Sequence, residues 1–203
     1  MSRATDAPGS RDRAGFALRT VRCLRDSPAS AARGASTVRG RRLVAIDGPS
    51  GAGKSTLADA MVAAWPGPVA LVRLDEVYPG WHGLDRGAAL IADSVVAPWA
   101  RGAVARVRCW DWRADAPGPI RAIAPGLDLV IEGCGAFDAV SGASALRIWV
   151  HAGEAERRRA ALTRDRGAFD PYWDMWDAQW RRHAARTGAS AAGADLIVRG
   201  LST

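Results

Sequence analysis

Apolar residues recur along this chain in two alternating rhythms. Short runs of buried-strand length occur at Arg42-Leu-Val-Ala-Ile46, Val69-Ala-Leu-Val-Arg-Leu74, Leu127-Asp-Leu-Val-Ile131, Leu146-Arg-Ile-Trp-Val150 and Asp195-Leu-Ile-Val198. Between them lie stretches with helical spacing. These are Lys54 to Trp65, residues 84–97 with Leu84, Ala88, Ile91, Val95 and Val96 on one side, Glu154 to Thr163, and Pro171 to Arg186. Pro98 is expected to end the second of these helices and Gly188 the last. Strands alternating with helices predict an α/β fold: one parallel five-stranded sheet covered by helices on both faces. Val104 to Trp112 reads as a short strand or extended loop, and Pro117-Gly-Pro119 as an exposed connection. No internal repeat is visible.

Between the first strand and the first helix stands Gly48-Pro-Ser-Gly-Ala-Gly53-Lys54-Ser55. Glycine, four residues, then Gly-Lys-Ser, placed between a strand and a helix, is the phosphate-binding P-loop pattern. Glycines at 48, 51 and 53 let successive backbone N–H groups turn inward toward phosphate oxygens, and the following helix N-terminus adds positive dipole there. Gly48, Ser50, Gly51, Ala52, Gly53, Lys54, Ser55 and Thr56 are therefore the candidate nucleotide-binding residues. Lys54 would reach the β- and γ-phosphates of ATP, and the Ser55 hydroxyl would help hold Mg²⁺. Lys54 is the only lysine among 28 basic residues, so composition alone would have placed an arginine there.

Charge sharpens the domain organisation. The net charge of the 203 residues is +7, and residues 1–42 carry all of the excess, with ten arginines against three aspartates. Residues 43–203 balance at zero, so residues 41–203 are expected to form the P-loop domain and residues 1–40 a disordered Arg/Ala-rich leader. A basic arm that touches nucleic acid or another acidic partner is the alternative for that leader. Its short apolar patch at Phe16, Leu18 and Val21 is interrupted by arginines and makes neither a signal-peptide core nor a membrane span. Cys23, Cys109 and Cys134 have no paired spacing, which suggests a reducing cytoplasm and no zinc site. Cys134 is expected to be a small buried hydrophobe. The sequence leaves the oligomeric state open, a homo-oligomer included.

In open parallel sheets the ligand sits beyond the carboxyl ends of the strands. Three predicted strands end there in polar signals: the P-loop, Asp75 and Glu132. Asp75 is placed to take the proton of an acceptor hydroxyl, and Glu132 to support the metal's water shell. Trp110-Asp111-Trp112, with Tyr78, Trp81 and His82, supplies aromatic and polar groups for an acceptor pocket. Arg164 and Arg166 stand beside Gly167, where a flap could hinge and bring positive charge to the moving phosphoryl group. Trp173, Trp176 and Trp180 recur at helical spacing and read as packing.

With these residues placed, residues 42–200 resemble the P-loop kinases of the uridine kinase and nucleoside kinase type. Asp47-Gly-Pro-Ser-Gly-Ala-Gly-Lys-Ser-Thr56 is similar to that family's first motif. Leu74-Asp75 with Tyr78 resembles its strand-end aspartate and following aromatic, which implies a general-base role for Asp75. Trp110-Asp111-Trp112 resembles its acceptor segment, and Arg164-Asp165-Arg166 its lid. The resemblance implies a P-loop NTPase domain with a short helical lid, transferring the γ-phosphoryl of ATP to a hydroxyl of a nucleoside-like small molecule. One departure stands out. The family's acceptor segment usually carries a histidine a few residues beyond the aspartate, and none occurs between Asp111 and Ile131. A kinase for a sugar acid or coenzyme precursor, and a non-catalytic nucleotide-dependent regulatory module using the basic arm, are the alternatives.

Overall fold

Each face of the central sheet has its own core, and alternation along the strands decides which residue joins which. In the computed structural model, which describes residues 15, 37–38 and 40–199, β1 (Thr37–Val38) pairs antiparallel with the start of β2 (Arg41–Asp47). The arginine-rich leader otherwise lies outside the described residues, as do its Phe16–Val21 patch and Cys23. Along β2, Leu43 and Ala45 point to one face and Val44 and Ile46 to the other, all of them buried.

Five strands form the parallel sheet in the order β3 (Val69–Arg73), β6 (Asp128–Glu132), β2, β7 (Leu146–His151), β8 (Leu196–Arg199). Helix α1 (Lys54–Ala63) packs Leu57, Ala58 and Met61 on one face, against Val44, Ile46, Val130 and Ile148. The opposite face is covered by α2 (Leu84–Ile91), α3 (Ala97–Arg101), α4 (Ala136–Ala139) and α6 (Trp173–Thr187). Helix α5 (Glu154–Arg164) follows β7 and lies against the loop after β2, with the Arg157 carbonyl beside Gly51. Gly188, left-handed with φ 72°, ends α6 as expected.

Three expectations are corrected, and one helix is added. Pro98 does not end the helix. A wide π turn over Ala92–Val96 joins α2 to α3, and the Ala97 N–H reaches back to the Ala92 carbonyl just before the proline. The widened turn makes room where a proline ring would otherwise crowd the carbonyl one turn earlier. Pro117-Gly-Pro119 is no connection: it lies inside β5 (Ala116–Ile123), which pairs with β4 (Ala105–Asp111) in a separate antiparallel hairpin. Both strands of a two-stranded ribbon are edges, so prolines are tolerated. Asp75 does not end a strand but sits in a 3₁₀ turn, Leu74–Glu76, that follows β3. The short α4 had no periodic signal long enough to predict it.

Candidate active site

The sheet's carboxyl edge gathers the site. Register sets Glu132 of β6 level with Arg73 of β3 on one side and Ile46 of β2 on the other. The chain leaves β2 through Asp47, which is 1% exposed and accepts hydrogen bonds from the N–H groups of Gly48 (2.6 Å), Phe137 (2.8 Å) and Gly135 (3.2 Å). Burial pushes the Asp47 carboxyl up, while these backbone donors and Lys54 pull it down. One carboxylate thus clamps the start of the P-loop to the turn after β6. In the sequence Asp47 stands out only as an acid closing an otherwise apolar strand.

The loop itself is held by close backbone approaches. A Cβ on Gly48 would lie 2.2 Å from the Val150 carbonyl oxygen, and one on Gly51 would lie 1.9 Å from that of Arg157. Both positions also have positive φ, so only glycine fits. Lys54, 8% exposed, lays its Nζ across the loop and donates to the Pro49 carbonyl at 2.9 Å. Burial works against its charge, but the surrounding acids Cys134, Glu132, Asp75 and Asp47 outweigh it and hold the ammonium up.

Glu132 is 2% exposed and accepts from Arg73 Nη1 at 3.0 Å; Arg73 in turn pairs with Asp59 of α1. Burial and Asp75 push the Glu132 carboxyl up, against Lys54, Arg73 and the Ser55 hydroxyl. The Arg73 anchor had not been foreseen, because it requires knowing that β3 and β6 are neighbours. Cys134 is buried as expected but touches the loop, its Sγ 3.5 Å from Ser50 Oγ and 3.6 Å from Lys54 Nζ. Burial raises its thiol pKa, against the pull of Lys54 and the Ser50 hydroxyl.

Two cavities open from this edge. The first, of about 250 Å³, is lined by Gly51, Gly53, Lys54, Ser55, Thr56 and Glu132. The second, of about 530 Å³, is lined chiefly by Tyr78, Trp81, Trp112, Phe169, Tyr172 and Trp176. Ser50, Asp75 and Arg164 border both. Asp75 is exposed there, its backbone carbonyl accepting from Trp112 Nε1 at 2.7 Å. Trp81 is the hub of the rings, with centroids 4.3 Å from Tyr172, 5.0 Å from Trp112 and 5.1 Å from Phe169.

The remaining sequence candidates separate. Tyr78, Trp81 and Trp112 come together at the second cavity, whereas His82 is exposed and lines neither. Asp111 turns its Oδ1 to the N–H groups of Arg113 and Ala114 and so shapes the hairpin tip. Trp110, half-buried, lies beside it outside both cavities. Arg164 reaches the shared edge with both carboxylate oxygens of Asp165 already bonded, at 2.7 and 2.8 Å. Arg166, at φ 50°, is exposed on the turn and borders neither cavity. Trp176 is packed as expected, yet it also walls the second cavity and donates Nε1 to Ser50 Oγ at 2.9 Å. Phe169 and Tyr172 had been passed over, since nothing in their spacing sets them apart from core or surface aromatics.

Among the described residues no helix is long and apolar enough to cross a membrane, and no group of three or more His, Cys, Asp or Glu could hold a metal by itself. No protein-family model and no curated protein sequence matches the chain. Solved structures do. A structure described as a possible uridine kinase from Bacillus stearothermophilus superposes with a TM-score of 0.60, covering 92% of this chain and 97% of that one at 15% identity. The YGR205w protein superposes with a TM-score of 0.50, covering 91% of this chain and 85% of that one at 9% identity. At such identities the likeness is one of architecture, and the five-stranded parallel sheet with its helices has the fold of P-loop kinase structures.

Proposed function

We propose that the protein is an ATP- and Mg²⁺-dependent phosphotransferase that moves the γ-phosphoryl of ATP to a hydroxyl of a small molecule seated in the aromatic cavity. The observation that carries this reading is the position of Asp75. It borders both cavities, with the Lys54–Ser55 end of the P-loop on one side and the ring-lined space on the other. In the reaction the acceptor oxygen bonds to the γ-phosphorus, the bond from that phosphorus to the β–γ bridging oxygen breaks, and ADP leaves. The hydroxyl proton passes to the Asp75 carboxylate.

The chain's residues suit the donor. Lys54 exchanges the Pro49 carbonyl for phosphate oxygens by a small turn of its side chain. Ser55 and Glu132 offer hard oxygen atoms beside it, the donor type that Mg²⁺ takes when phosphates and water complete its shell. Bound there, Mg²⁺ would neutralise charge on the β- and γ-phosphates. Arg164 borders the same space and stabilises the transferring group on leaving Asp165. A sugar-acid acceptor is the weaker reading, because no cation besides Arg164 lines the second cavity among the described residues.

The test is to incubate the protein with ATP, Mg²⁺ and a pooled metabolite extract and search by mass for a compound that gains one phosphoryl group. A single acceptor whose conversion vanishes with Asp75→Asn is the expected result. Conversion at the wild-type rate by that variant would sink the base assignment. ATP binding without any converted compound would favour the regulatory-module alternative.

A further inference from the structure

The walls of the second cavity restrict what it can hold, an inference that rests on the kinase reading above. We infer that the acceptor is a hydroxyl compound with an apolar body, aromatic in the simplest case, carrying neither an anionic group nor the polar edge of a nucleobase.

Most polar groups of the ring-lined wall are already engaged within the protein, leaving the Asp75 carboxylate for the reacting hydroxyl and the Tyr172 hydroxyl at the exposed rim. Trp112 Nε1 donates to the Asp75 carbonyl at 2.7 Å, and Trp176 Nε1 to Ser50 Oγ at 2.9 Å. The Tyr78 hydroxyl donates to the Cys134 carbonyl at 2.7 Å. A base edge pressed against the Trp112, Trp176 and Tyr78 rings gives up its bonds to water without gaining one from them, a loss of roughly tenfold or more in affinity for each unsatisfied group. Apolar ring surface has no such loss and stacks against the Trp81 cluster.

Charge works in the same direction. Arg164 is the single cation in the lining among the described residues, and Asp165 holds it through two hydrogen bonds. When Arg164 turns to the phosphates, Asp165 and Asp75 are left as two carboxylates at the cavity. An anionic acceptor therefore meets net negative charge in either arrangement. The space of about 530 Å³ is ample for one or two rings and the hydroxyl-bearing arm that reaches Asp75.

The experiment uses the full chain with ATP and Mg²⁺ and three panels: neutral aromatic alcohols such as 2-phenylethanol, nucleosides including uridine, and hydroxy acids such as glycerate. ADP release reports transfer, and quenching of intrinsic tryptophan fluorescence reports binding without turnover. The inference expects aromatic alcohols to bind and to be phosphorylated with kcat/KM at least about tenfold above the other panels. A nucleoside or hydroxy acid converted as well as the aromatic alcohols overturns it while leaving the kinase reading intact. Aromatic alcohols that quench fluorescence, with no ADP formed from any panel, uphold the cavity inference while the kinase reading falls. Trp81→Ala should weaken the quenching by aromatic alcohols by about tenfold and leave ATP binding unchanged. Tyr172→Leu, at an exposed ring of the same cluster, should weaken it severalfold if the first variant fails to fold. Wild-type quenching in a folded Trp81→Ala or Tyr172→Leu protein overturns the assignment.

Discussion

The side of this site proposed to hold phosphate is made chiefly of consecutive backbone, residues 48–56 running from a strand end into a helix, whereas the proposed acceptor side is made of side chains from three distant stretches. Tyr78 and Trp81 come from the loop after β3, Trp112 from the hairpin tip, and Phe169, Tyr172 and Trp176 from the turn and helix after α5. The first side is built around buried, bonded charge: Asp47 on three N–H groups, Lys54 among acids, Glu132 on Arg73. The second is walled mainly by aromatic rings, with Asp75, Arg164 and Asp165 as its charged residues. The difference suits the two tasks of the proposed transfer. Polyphosphate needs fixed dipoles and a cation, while an apolar acceptor needs only shape and dryness beside one carboxylate.

The sharpest way to break this division is at its joint. Asp75→Asn is expected to lower turnover by about 10² to 10⁴ with the KM values for ATP and acceptor little changed, since general-base catalysis contributes that much. Steady-state kinetics with each substrate varied in turn would show it. Lys54→Met should lower kcat by roughly 10² to 10³ and weaken nucleotide binding, leaving acceptor quenching of tryptophan fluorescence intact. An equal loss on the acceptor side would mean that the two cavities are not separable.

Stability offers a second contrast. Gly51→Ala places a methyl group against the Arg157 carbonyl at a left-handed position, and should cost about 3 kcal/mol in urea unfolding. The joint between α5 and α6 is a buried pair: Arg157, 3% exposed, meets Asp177 at 2.6 Å beneath Trp173 and Trp180. Burial alone would raise the Asp177 carboxyl, but hydrogen bonds from Arg157 and Arg181 outweigh it and hold it below its ordinary 3.8. A lowered acid stabilises the fold above its unfolded value and loses that contribution as pH falls through the lowered one. Asp177→Asn should therefore cost about 2 kcal/mol at neutral pH, with the difference from wild type shrinking as pH drops below 3.8. A difference independent of pH would refute the ionic account. The smallest effect is expected from Trp81→Ala on turnover, a fall of about tenfold in kcat/KM for the acceptor with the ATP parameters unmoved.

How far each region could be read from sequence follows the same line. Lys54, Ser55 and the glycines were legible because a P-loop is a local object, its spacing dictated by one turn and one helix start. Trp110-Asp111-Trp112 was legible as a cluster but not in its parts. The bulge between Arg108 and Trp110, together with the hairpin turn, sends Trp112 to the cavity, Trp110 away from it and Asp111 into the turn. Arg164 and Arg166 are two residues apart, yet the left-handed turn at Arg166 leaves only Arg164 at the shared edge.

By itself, then, the order of residues determined the alternation of strands and helices, the phosphate loop and its lone lysine, and the location of the excess positive charge. These depend on periodicity, chain stiffness and composition, all of which act over a few residues. Only the tertiary structure decided the strand order β3-β6-β2-β7-β8, the Arg73–Glu132 and Arg157–Asp177 pairs, and the ring of aromatics around Trp81. Each of those joins segments 20 or more residues apart, and such contacts form through burial of whole faces rather than through any local preference of the chain.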